Sequence, residues 1–191
     1  MEYIIGGVLA LVVVFGVVVM TTYNALVNRR EAVRNDYRQI DIQLDRRFKV
    51  FESLINTVKS YMDYEKSTLK DVVALRSQAV DASKAGDQNS KMAAENKISQ
   101  IARGLNVQFE AYPELKANQN VLQLQEEIST TENKLAFAKQ AYNDGIERFN
   151  GFVQSFPTNL IAAMFSGFTP FTYWQLEDED KSQKEDYTVK L

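Results

Sequence analysis

The sequence predicts an all-α chain: an N-terminal transmembrane helix that continues into an antiparallel, up-and-down four-helix bundle of long helices. Three observations predict it. The run from Tyr3 to Met20, YIIGGVLALVVVFGVVVM, carries no charged side chain. No glycine or proline interrupts the chain between Val17 and Ala85. Beyond the apolar run, hydrophobic residues recur in steps of three, four and seven, so each stretch lines one face of a helix. The expected organisation is an anchor over residues 1–22, a helical bundle over 23–168 and a charged, flexible tail over 169–191.

The anchor comes first. About 20 mostly apolar residues cross the hydrocarbon core of a bilayer as a helix. A helix satisfies its own backbone hydrogen bonds there. A cleaved signal peptide fits poorly, because only Glu2 precedes the run, the run is long for an h-region, and no A-x-A-like site follows it. A pilin-like start would carry an acidic residue inside the run, and none is present. Arg29, Arg30, Arg34 and Arg38 follow the span and no Lys or Arg precedes it. Basic flanks stay cytoplasmic, so the N-terminus is expected outside and the bulk of the chain inside, in a single pass of the inner (plasma) membrane. Tyr3, Met20 and Tyr23 mark the ends of the span, with the two tyrosines as aromatic interface anchors. Gly6 and Ala10 form a small-xxx-small pair through which two spans can pack closely, but the signal is weak and a lipid-facing position is the commoner role of such a pair.

Composition narrows the chemistry. The 191 residues carry a net charge of −3, which offers no basic field for nucleic acid. There is no histidine and no cysteine. That removes the commonest general base, the usual nucleophile–base pairs and most transition-metal sites. The expectation is a non-enzymatic protein with no cofactor.

The first helix carries Leu26, Val33, Tyr37, Ile40, Leu44, Phe51, Leu54, Val58 and Met62 on one face, with Arg47 standing where an apolar residue is expected. Asp63 to Ser67 is a polar interruption with capping residues. The stripe resumes at Leu69, Val72, Val73, Arg76 and Val80. Gly86 to Ser90 forms a loop with good stop and start signals. A further helix from about Lys91 to Ala111 turns Ala94, Ile98, Ile101, Leu105 and Phe109 inward, until Tyr112-Pro113 breaks it. Asn120 with Gln123 resembles a capping box. The cleanest coiled-coil-like stripe follows: Val121, Leu124, Ile128, Thr131, Leu135, Ala138, Tyr142, Ile146, Phe149 and Val153. Gly145 within it costs about 1 kcal/mol relative to alanine. Pro157 ends this helix or opens a short last one, Thr158 to Phe165.

Two packings satisfy these stripes. One is an up-down-up-down bundle; the other is a long hairpin nicked near Asp63 and Pro113. The bundle buries more apolar surface and is the expected form. Either returns Phe156 to the membrane end. The segment Leu160 to Trp174 is rich in aromatics, and Phe165, Phe168, Phe171, Tyr173 and Trp174 are the candidate interaction residues. They can cap the bundle, lie among lipid headgroups or make a subunit contact. EDEDKSQKED after them is charged and poor in apolar residues.

Several phrases together resemble the LemA family: YNALVNRREAV (Tyr23 to Val33), QIDIQLDRR (Gln39 to Arg47), LINTVKSYMDYEKSTL (Leu54 to Leu69), EAYPELKANQN (Glu110 to Asn120), LQEEISTTEN (Leu124 to Asn133), YND (Tyr142 to Asp144) and SFPTNLIAAMF (Ser155 to Phe165). The resemblance implies a bacterial single-pass membrane protein with an outside N-terminus, a cytoplasmic α-helical bundle, no accepted enzymatic activity and no cofactor. The charged tail after Trp174 departs from the more apolar ending of that family.

Asn24, Asn35, Asp41, Gln43, Arg46, Arg47, Asn118, Glu126, Glu132, Asn133 and Asn143 stand beside or between core positions. They suit helix caps and inter-helix pairs that fix register, or a polar groove for a partner helix. Glu126, Glu127 and Glu132 lack the Glu-x-x-His of a di-metal bundle. Two functions remain open. One is a self-associating membrane scaffold, a homo-oligomer in the bilayer. The other is a monomeric tethered adaptor that offers its bundle to a cytoplasmic protein, such as a chaperone-like ATPase or a membrane protease.

Overall fold

The computed structural model describes residues 1–58, 65–109 and 117–174. Helix α1 runs Glu2–Val58, α2 Glu65–Ala85, α3 Gln88–Phe109, α4 Gln119–Gln154 and α5 Thr158–Met164, and no strand occurs among the described residues. Met62, Asp63, Tyr64, the Tyr112-Pro113 break and the sequence after Trp174 lie outside the described residues, as do the side chains of Leu69, Leu105 and Phe109. The chain divides into two compact units, and α1 and α4 contribute to both.

The first unit holds Met1–Gln39 and Ala138–Tyr173. Leu26 and Val33 of α1 are buried, as are Tyr142, Ile146 and Phe149 of α4 and Ile161 of α5, along with Phe168. The two long helices run antiparallel. Arg29 of α1 donates to the Arg148 carbonyl (3.5 Å), while Asp36, further along α1, faces Gly145, earlier in α4. A Cβ on Gly145 would stand 2.8 Å from Asp36 Oδ2 and 3.6 Å from Val33 Cγ2. The glycine that weakens α4 locally is thus what leaves room for the Asp36 carboxylate against α4. Gly167 (φ +106°) turns the chain after α5, and Arg30 donates to its carbonyl (3.4 Å). Residues 168–173 then lie along α4. Asn150 Nδ2 donates to the Phe171 carbonyl (3.0 Å), the Phe171 N–H donates back to Asn150 Oδ1 (2.9 Å), and the Phe171 ring meets Phe149 at 5.2 Å. The sequence starts the charged tail at 169; these contacts hold residues up to 173 on this unit.

The second unit holds Ile40–Phe137, together with Trp174. Here four helical segments form the expected bundle. Val50, Phe51, Leu54, Ile55 and Val58 of α1 form one core with Ala102 of α3 and Val121 and Ile128 of α4, edged by Ile101 and Leu124. Each such side chain contributes roughly 1.5–3 kcal/mol on full burial. α2 and α3 make a tight hairpin. Gly86 (φ +75°) closes α2 with two return bonds, from Asp87 N–H to Ala82 O (2.9 Å) and from Gly86 N–H to Ser83 O (3.2 Å). Both helices also pack on α1 through ion pairs, Arg76–Asp45 and Lys91–Asp41, which an open hairpin would not form.

Three local expectations change. α3 starts at Gln88, not near Lys91, because Asp87 accepts from the Ser90 N–H (3.0 Å) and hydroxyl (2.6 Å) and nucleates the turn earlier. α4 is capped by Asn118, whose Oδ1 accepts the Asn120 N–H (3.0 Å); Asn120 is not the cap. In α2, Val73 is 47% exposed, while Val72 and Ala79 are buried, so the inward face is rotated from the one the apolar spacing suggested.

Candidate functional site

The anchor surface is the most extensive candidate. From Met1 to Val17 every large apolar side chain of α1 is more than half exposed, and none of the most apolar window of the helix is buried inside the protein. Tyr3 and Met20 are exposed and Gly6 and Ala10 lie open, with nothing within 4 Å of a Cβ placed on Gly6. A surface this apolar is unstable in water and needs lipid or another apolar partner. Tyr23 differs from a simple interface anchor: its ring meets Phe165 at a tilt (4.8 Å) and Phe168 edge-on (5.6 Å).

The basic flank is built into the fold. Arg29 lies over the Phe152 ring (4.3 Å) and Arg30 over Phe168 (5.2 Å), while Arg34 pairs with Glu31 (2.8 Å). The candidate interaction residues divide. Phe165 (38%) and Tyr173 (45%) are exposed; Phe168 and Trp174 are buried and Phe171 is half-buried. Sequence reasoning did not single out Phe156, Leu160 and Met164, which are 80%, 59% and 65% exposed. The i, i+4 spacing of Leu160 and Met164 on α5 was the available signal.

The second unit contains a buried ionic chain. Arg47, the residue that interrupts the α1 stripe, is 1% exposed. Its guanidinium donates to Glu95 Oε2 (2.5 Å), the Glu95 carbonyl (3.2 Å), Ser99 Oγ (2.5 Å) and Glu132 Oε1 (3.3 Å). Glu95 Oε1 accepts from Arg76 (2.7 Å), which also pairs with Asp45. The chain Asp45–Arg76–Glu95–Arg47–Glu132 therefore draws on all four helical segments. Asp41, Asp45, Arg76, Lys84 and Lys91 line a cleft of about 400 Å³, in which Arg76 pairs with Asp45 and Lys91 with Asp41. Sequence reasoning named Arg47, Asp41 and Glu132 but missed Glu95; two arginines at apolar-stripe positions were the sign that an acid had to be buried against them. Glu127 pairs with Arg46 (3.1 Å), and no His/Cys/Asp/Glu group able to hold a metal occurs among the described residues.

Two titrating groups in the first unit are perturbed. Burial raises the Asp36 carboxyl above its ordinary range, partly opposed by the nearby Arg148 guanidinium. Burial, reinforced by Tyr37, pushes the Tyr142 phenol up to about 12; its ring lies 5.4 Å from that of Tyr37 and its hydroxyl donates to the Thr172 carbonyl (3.5 Å).

A fully exposed apolar helix, a basic flank and an all-helical body with a sealed ionic core define a membrane-anchored helical protein. Among known proteins, the LemA family model matches residues 36–190, so the chain belongs to the LemA family. It is 30% identical over 139 residues to Protein LemA of Metamycoplasma hominis, covering 73% of this chain. The aligned part spans 63% of that relative's length. The LemA family is not a known enzyme family.

Proposed function

We propose that this protein is a non-enzymatic membrane scaffold that self-associates through its anchor, in a single pass of the plasma membrane with the N-terminus outside and the rest of the chain cytoplasmic. The supporting observation is the unpartnered first turns of α1, where Gly6 and Ala10 present a small-residue face among exposed valines and leucines. The basic residues Arg29, Arg30, Arg34 and Arg38 after the span favour the inside placement of the body.

Electron microscopy of the full-length protein with lipid, beside a variant lacking Met1 to Thr22, tests the proposal. Large uniform particles that vanish in the variant are expected. Single small particles in both preparations reject self-association.

One observation favours a second reading, a tethered adaptor. Phe137 on α4 is 71% exposed. If it docks a cytoplasmic partner, a Phe137→Ser variant loses a protein that the parent chain co-purifies, while particle size stays that of a monomer.

A further inference from the structure

The last helix and the turn after it form an unusual surface in the first unit. α5 buries Thr158, Ile161 and Ala162 against the unit. Phe156, just before the helix, and Leu160 and Met164 within it all face solvent. A helix at the surface of a soluble body would turn mostly polar groups outward, whereas α5 carries apolar side chains on both its buried and its exposed face. The exposed face is continuous with the anchor. Met164 and Phe165 line one apolar cleft of about 350 Å³ together with Phe15, Gly16, Val19, Met20 and Tyr23.

That continuity fixes a depth. A helix rises about 1.5 Å per residue, so Phe15 lies roughly 12 Å from Tyr23 along α1. A crossing segment of about 20 residues that begins at Tyr3 ends near Thr22, so Phe15 to Met20 lie within the hydrocarbon. Side chains that share a cleft with them lie at the same level. Arg29, Arg34 and Arg148 are exposed in the same unit. On α1, Arg29 follows Tyr23 by six residues, roughly 9 Å, a height from which its long side chain reaches headgroup phosphates.

We infer that Phe156, Leu160, Met164 and Phe165 form a foot inserted into the headgroup–acyl boundary of the leaflet on the body's side. The chain then holds the membrane at two places, the span and the foot. An interfacial helix typically buries its apolar face about 5–10 Å into this boundary. The foot restrains the tilt of α1 and keeps the base of the first unit against the lipid. The inference rests on the reading of α1 as a membrane anchor.

The absence of cysteine makes the test clean. Single variants Leu160→Cys, Phe156→Cys, Val12→Cys and Asn89→Cys of the full-length chain, each labelled with the fluorophore NBD, are placed in phosphatidylcholine–phosphatidylglycerol vesicles. Helical circular dichroism equal to the parent's qualifies each variant. The expected result is that labels at 160 and 156 are quenched by lipid carrying a doxyl group at carbon 5 and react with aqueous dithionite at least several-fold more slowly than the label at 89. A label at 160 that reacts as fast as one at 89, while the label at 12 stays protected, overturns the foot and leaves the anchor standing. Fast reaction at both 12 and 160 overturns both. Protection at 160 that is lost when protein is diluted in lipid assigns the face to a second copy of the chain and also overturns the foot.

Discussion

Arg47 and Glu95 meet at 2.5 Å with both side chains 1% exposed, in a unit that also buries Lys91, Ser99 and Thr131 among its aliphatic and aromatic core residues. Each ion alone would be costly to bury; together they are tolerable because every neighbour in the chain, from Asp45 to Glu132, shares the charge. Removing one partner is therefore expected to cost about 3–5 kcal/mol, whereas replacing both by well-packed apolar residues recovers most of that loss. Arg47→Met and Glu95→Leu, singly and together, followed by denaturant unfolding, give the coupling directly. A loss in the double variant equal to the sum of the two single losses would show that the pair is not coupled.

Gly145 and Gly151 sit on the same helix with opposite surroundings. A Cβ at 145 collides with Asp36 at 2.8 Å, and one at 151 meets nothing within 4 Å. Gly151→Ala should stabilise the protein by about 0.4–1 kcal/mol. Gly145→Ala should gain less, because its Cβ displaces the Asp36 carboxylate from its place against α4. Thermal melts should rise more for Gly151→Ala than for Gly145→Ala, and an Asp36→Ala background should narrow the difference.

The Asp36 carboxyl is raised by burial, so the folded state prefers its neutral form. Its favourable contribution is complete below the unfolded value, near pH 3.9, and is lost as pH rises through the raised folded value. Asp36→Asn, which stays neutral, should therefore be more stable than the parent at pH 7, and the difference should shrink as pH approaches about 4. Melting temperatures of both proteins across pH 4–8 check it; a difference that grows toward acid would contradict the sign.

Asn118 and Asn120 are two residues apart, and only Asn118 accepts a backbone bond at the start of α4. Asn118→Ala should cost about 1 kcal/mol and Asn120→Ala far less. Unfolding midpoints of the two variants separate the assignments.

Much of the fold was legible because its signals are local. The charge-free run, the helical stripes and Gly86 follow from residue type and spacing alone. The start of α3 and the cap of α4 were misplaced by a few residues because Asp, Asn and Ser all cap well, and which one does so depends on where the preceding chain arrives. In the site, Arg47 was visible as an anomaly in a stripe, but Glu95 was not. A glutamate on a helix with polar neighbours reads as solvated until another helix covers it.

Phe156, Leu160 and Met164 show the same limit from the other side. Their spacing belongs to an ordinary core stripe, and only the fold turns them outward while Thr158 and Ile161 go in. The sequence by itself determined the anchor, the helices and the family to which the chain belongs, because hydrophobicity and periodicity are properties of consecutive residues. Tertiary structure decided which charges are sealed, that Gly145 faces the Asp36 carboxylate, and that an apolar face emerges beside the span. Those depend on which residues distant in the chain come within a few ångströms of one another, and no local pattern encodes that distance.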